Sequence, residues 1–231
     1  YHAPFEPLAL SPKPSVEFLR QYSVCPFRAW STRHLGIQDE EAHDRPWFAW
    51  RNELLAQDVL TERRISELET EYDEPFGPWL RTHQEALMSY TYRPRIPGRT
   101  ATAHLHAAKR ITENGKTTAE FVYFVGPFAA PTEADAGRIM QERWSEIWAA
   151  AGMLGRSGST VDNVFVTVWP LLGEPVAAYP YGLKANTRRL QQVVAEVQRV
   201  QAQYETGDVS PTPGFHCRTC PVFDTCREGI L

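Results

Sequence analysis

The chain has 231 residues, 42% of them apolar, enough to bury a sizeable core without disulfide staples. Its 24 Lys and Arg stand against 28 Asp and Glu, a net charge of −4 that excludes a globally basic nucleic-acid binder but leaves room for a local basic groove. No apolar run approaches the roughly 18 residues of a membrane helix and no signal segment is visible, so we expect a cytoplasmic protein with no membrane partner.

The opening on Tyr1 rather than Met gives the expectation of a segment cut from a longer polypeptide. Residues 1–14, with four prolines, read as an extended arm. Ser15 is placed to cap a helix running through Phe18, Leu19 and Tyr22 toward Cys25. A second short helix follows over 26–36, with Trp30 and Leu35 inward. Residues 38–44 are an acidic loop, and 47–70 carry Trp47, Trp50, Leu54, Leu55, Val59 and Leu60 at helical spacing. The Pro- and Gly-rich stretch at 72–78 breaks that helix, and 79–90 form another.

Strands come next. Residues 100–106 and 118–125 alternate, and Asn114-Gly115 between them signals a hairpin. Thr132 with Asp135 opens a helix that puts Met140, Trp144, Ile147, Trp148 and Ala151 on one face and ends at Gly152, Gly155 and Gly158. Val164, Val166 and Val168 alternate in a central strand, and 176–181 form a shorter one. Asn186 caps a long amphipathic helix with Leu190, Val193, Val194, Val197, Val200 and Tyr204 on one stripe. The order predicts an α/β fold in the α+β sense: one domain over 1–231, a mixed sheet flanked by helices.

Four cysteines complete the chain. Cys217, Cys220 and Cys226 follow a C-x2-C-x5-C spacing, and Cys25 lies far upstream. Three readings fit: two disulfides, a four-cysteine zinc site, or a cubane iron–sulfur cluster, which tolerates one-plus-three spacing. Any four-thiolate site would tie the two ends of the chain together and act as a clasp.

The run from Ser15 through Cys25, Pro26, Phe27 and Arg28, and the closing Pro213 to Cys226, resemble the iron–sulfur subset of the PD-(D/E)XK nuclease superfamily. The likeness is to the RecB-like nuclease domain of AddB-type helicase–nuclease subunits and covers nearly the whole chain. It implies a restriction-endonuclease-like core and a [4Fe–4S] cluster on Cys25, Cys217, Cys220 and Cys226; from the spacing, zinc remains the competing, less favoured occupant. Partners implied are DNA, as a single strand or duplex end, and helicase or nuclease subunits or the remainder of a larger chain.

The catalytic residues of that family are missing. Where its first strand reads Gly-Arg-Ile-Asp, this chain has Gly98-Arg99-Thr100-Ala101. Where its second reads Asp-Tyr-Lys-Thr-Gly, Val122 and Phe124 replace the acid and the lysine. No Asp or Glu occurs from Ala86 to Thr112, and an apolar side chain binds no magnesium. Gln141 matches the glutamine of a later helix motif, but Ser145 stands in place of its tyrosine.

The resemblance therefore implies a degenerate nuclease that binds DNA or builds a helicase–nuclease or recombination-repair complex. One alternative is an active exonuclease using Mg or Mn, with Glu120 joined by Asp135 or Glu142. The other is a protein-interaction scaffold without DNA contact. His104 and His106 share a strand face and are weighed as metal ligands against plain packing. Arg93, Arg95, Arg99, Lys109 and Arg110, interleaved with Tyr90 and Tyr92, form the candidate DNA-contacting patch.

Overall fold

A computed structural model of the chain describes residues 13–35, 76–92, 94–125, 132–155, 161–182 and 188–226. The expected arm over 1–12, the helix over 47–70 and the acidic loop lie outside the described residues, as do Arg93 and Asn186.

Helix α1 (Val16–Val24) begins where Ser15 accepts the Phe18 N–H at 3.1 Å, so the cap forms as the sequence predicts. Helix α2 (Pro26–Leu35) starts at once after Cys25, with Pro26 in the first turn, where its missing N–H costs nothing. Its buried residues are Pro26, Ala29 and Ser31; Leu35 is 59% exposed, so the expected inward Leu35 is a correction. Helix α3 (Phe76–Met88) starts three residues earlier than predicted, because Pro78 still lies in the tolerant first turn.

Two sheets follow. The larger has five strands in the order β1-β4-β5-β6-β7: β1 (Thr91–Tyr92), β4 (Ala107–Glu113), β5 (Lys116–Val125), β6 (Asn163–Pro170) and β7 (Val176–Gly182). The smaller pairs β2 (Arg95–Pro97) with β3 (Thr102–His104). Asn114 and Gly115 both adopt positive φ, 51° and 74°, as a primed hairpin turn requires. The hairpin's first strand is nevertheless 107–113, not the predicted 100–106. The alternation at 102–104 belongs to the separate two-stranded ribbon, which the β2 partner captures.

Strands β5 and β6 run parallel, so the chain crosses between them through α4 (Glu133–Gln141) and α5 (Trp144–Leu154). Thr132 caps α4 by accepting the Asp135 N–H at 3.2 Å. The single helix predicted here is two, parted at Glu142 and Arg143, and Gly152 lies inside α5. Strand β6 is interior, as its valine alternation predicts, and α6 (Arg188–Glu205) buries Leu190, Val193, Val197, Val200 and Tyr204.

The two faces of the sheet carry separate cores. One face sends Ala119, Phe121, Val164, Val166 and Val168 toward α1, α4, α5 and α6. The other sends Ala107, Val122, Phe124 and Trp169 toward Trp79, Leu80 and Leu87 of α3. The Trp79 and Trp169 indoles both donate to the Gly173 carbonyl, at 2.9 and 3.0 Å, which pins α3 to this second face. Among the described residues, no helix is long and apolar enough to cross a membrane.

Candidate metal centre

The two ends of the chain meet on α1. The Tyr204 ring of α6 packs edge-on against Phe18 and Tyr22, with centroids 5.4 and 5.5 Å away. The Tyr22 hydroxyl donates to the Asp208 carbonyl just beyond α6. Burial, with the charge of Asp208 and neighbouring Tyr204, pushes the Tyr22 phenol up to about 12, so it remains a donor. These interactions bring the segment after α6 back over Cys25, at the joint between α1 and α2.

That segment coils into two tight helical turns, Phe215–Thr219 and Phe223–Thr225. The backbone chain is regular: Cys217 N–H donates to Gly214, Cys220 to Cys217, Phe223 to Cys220 and Cys226 to Phe223, each within 3.3 Å. Cys25, Cys217, Cys220 and Cys226 thereby line one small cavity, together with Val222 and His216. All four are free thiols; Cys25 and Cys226 are buried.

Two of the sulfurs accept backbone N–H groups. Cys25 Sγ receives the N–H groups of Arg28 and Thr212, both at 3.5 Å, and Cys217 Sγ receives that of Gly214 at 3.3 Å. Burial pushes the Cys220 thiol up; a Val222 N–H and the Arg28 guanidinium pull the other way, and Cys25 and Cys217 add to the rise. A positive centre at the site would offset the rise at Cys220 and hold it as a thiolate. His216 Nε2 is buried beside them with no hydrogen-bond partner, an orphaned polar atom at the wall of the cavity. The donor set, four soft sulfurs with N–H groups aimed at them, fits an iron–sulfur or zinc centre. Among the described residues, no three His, Cys, Asp or Glu side chains close up as the ligands of a metal ion.

The positions at which the resembled family carries its acids and lysine are dispersed and apolar in surroundings. Val122 and Phe124, 0% and 3% exposed, lie in the core under α3. Ala101, fully buried, belongs to the opposite core, and its carbonyl accepts the Gly98 N–H at 2.9 Å. A Cβ on Gly98 would fall 1.8 Å from the Trp148 ring, so the glycine of this Gly98-Arg99 match is needed for close packing.

Glu120 shares the Val122 face but is committed: Lys109 Nζ sits 3.1 Å from one carboxylate oxygen and the Thr167 hydroxyl donates to the other at 3.2 Å. Lys109 also lies 4.4 Å over the Tyr90 ring. Asp135 bonds within its own cap, Glu142 ends α4 in the open, and Gln141 is exposed beside it. His104 is exposed at the end of β3, whereas the His106 ring packs 4.3 Å from Tyr123 and its Nδ1 accepts the Phe124 N–H. Of the candidate patch, Arg95, Arg99 and Arg110 are exposed, and Lys109 is drawn inward by Glu120.

A second polar cluster lies outside every sequence-predicted site. Glu146 of α5 has no exposed surface, with Arg143 Nε 3.5 Å away and the guanidinium stacked 3.5 Å over Tyr123. Glu17 accepts the His104 N–H at 3.2 Å and the Ser145 hydroxyl on one oxygen, while its other oxygen is buried without a partner. The signal in the sequence is an acid inside the apolar run of α5.

No family model and no curated protein matches the chain. It is similar to a solved structure described as the crystal structure of SSO0001, with a TM-score of 0.42 and 12% identity over 97% of this chain and 90% of that chain.

Proposed function

We propose that the chain is a catalytically silent, iron–sulfur-bearing domain with a restriction-endonuclease-like core, serving DNA binding or architecture in a helicase–nuclease or recombination-repair assembly. The observation that carries this reading is the meeting of Cys25 with Cys217, Cys220 and Cys226 around one cavity lined with N–H donors to sulfur. A [4Fe–4S] cluster bound there supplies covalent bonds between the two ends of the chain. The chain's own residues do the rest: Tyr22, Phe18 and Tyr204 bring the ends into register, and the tight turns present the sulfurs. Of the two candidate occupants, the cluster is favoured by the one-plus-three spacing of the cysteines, which cubane centres tolerate. We assign the protein to the cytoplasm, a reducing compartment in which four thiols kept for a metal centre stay unpaired.

Silence is supported by the sites themselves. The positions that would hold a divalent cation and a lysine are Ala101, Val122 and Phe124, all buried among apolar neighbours. Glu120 is already neutralised by Lys109. The test is to purify the chain without oxygen, measure iron, sulfide and zinc, and incubate it with single-strand-tailed DNA in magnesium and in manganese. The expected result is a brown protein with iron and sulfide that shifts the DNA without shortening it. Stoichiometric zinc in place of iron would overturn the cluster. DNA shortened by the wild type but not by Glu120→Ala would overturn silence. DNA neither shifted nor cut would leave the scaffold reading in its place.

A further inference from the structure

A groove of about 540 Å³ opens between the α1–α2 pair and the β2–β3 ribbon. Lys13 and Arg33 line it from the helical side, Arg95 and His104 from the ribbon, where they are directly paired across the strands. All four side chains are exposed, and among the described residues no acid forms an ion pair with Lys13, Arg33 or Arg95. The one acid in the lining, Glu17, has an oxygen spent on the His104 N–H and the Ser145 hydroxyl and the other buried. Among the described residues, three cations against one inward-held carboxylate give the lining an excess of two positive charges, His104 counted neutral. Arg33 is further held in place, its guanidinium 4.7 Å over the Phe18 ring.

We infer that this groove binds the phosphodiester backbone of a single strand of nucleic acid. This rests on the DNA-binding reading and locates it. Cations on both walls grip a chain laid between them, and two arginine forks match phosphate oxygens. Of the described members of the basic patch seen in the sequence, Arg95 lines the groove; Arg99 and Arg110 are not in its lining, and Lys109 is occupied by Glu120. Lys13 and Arg33 escape a reading of the sequence because they are distant from the patch in the chain and join it only through the packing of α1 against β3.

The experiment measures binding of fluorescent oligothymidylate to the anaerobically purified chain across a salt series. The triple variant Lys13→Gln, Arg33→Gln, Arg95→Gln is compared with the double variant Arg99→Gln, Arg110→Gln, after urea unfolding has shown that both keep the wild-type midpoint. The triple variant should bind at least about tenfold more weakly. It should also flatten the slope of log affinity against log salt by about 2, at about 0.7 for each phosphate no longer neutralised. The double variant should remain within about twofold of wild type. Weakened binding in the double variant with the triple unchanged overturns the groove while the DNA-binding reading stands. Tighter binding of an equal-length duplex, abolished in the same triple variant, overturns the single-strand assignment. Wild-type protein that binds polyglutamate and not oligothymidylate overturns the nucleic-acid assignment. Wild type that binds neither overturns both readings.

Discussion

Glu146 shows how far a single residue can depart from its helix. Its neighbours Ile147, Ala149 and Ala150 are fully buried, as an apolar helix face demands, and Glu146 is buried with them. Burial raises its carboxyl well above the ordinary range; the Arg143 guanidinium opposes this, and the nearby Glu17 adds to it. An acid whose folded value exceeds its unfolded value stabilises the fold fully below the unfolded value, about 4.5, and loses that contribution as pH rises through the folded value. Glu146→Gln cannot ionise. The variant should therefore gain stability relative to wild type as pH rises above about 4.5, measured by urea unfolding at each pH. A difference that is flat, or that shrinks with pH, would show the carboxylate to be ionised and held by Arg143. At this scale the cysteines are legible in the sequence, because their spacing is a chemical pattern carried in the chain itself. The Glu17–Ser145–Glu146 cluster is not, because it joins α1 to α5 through tertiary packing alone.

At the scale of elements, local chemistry decides what can be read. Ser15, Thr132 and Asn114-Gly115 each act within a few residues, and each sets its cap or turn where expected. The departures come where partners across the fold choose. Residues 102–104 alternate equally well in either sheet, and pairing with Arg95–Pro97 decides between them. Gly152 has the residue type of a helix end, yet α5 runs through it to Gly155. Two glycine substitutions separate these cases by sign. Gly115→Ala forces an L residue into the left-handed region at φ 74° and should cost about 1 kcal/mol. A Cβ on Gly152 would meet nothing within 4 Å, and helical Gly152→Ala should gain about 0.5–1 kcal/mol. Urea midpoints moving in opposite directions are the expected outcome; a fall at both would mean α5 has no room on that face.

For the whole molecule, the question is what holds residue 25 to residues 217–226. Loop closure between these positions spans about 190 residues, and on the loop-entropy scale a cross-link of that reach constrains the unfolded chain by about 5 kcal/mol. That equals much of the roughly 5–15 kcal/mol by which whole domains are stable. The non-covalent part of the clasp is smaller but real: the Phe18–Tyr22–Tyr204 stack and the Tyr22 bond to Asp208 hold α6 against α1 independently of any metal. The short turns after α6 have no such support; Phe215 is 81% exposed, and their buried anchors are Val222 and Cys226. Cys25→Ala should therefore act unevenly. The proposed metal should be lost, the unfolding free energy should fall by several kcal/mol, and limited proteolysis should cut first between 207 and 226 while α6 stays protected. Cleavage spread evenly over the chain would mean the thiolate centre sustains the entire core. An unchanged urea midpoint with the metal released would mean the aromatic stack alone closes the fold.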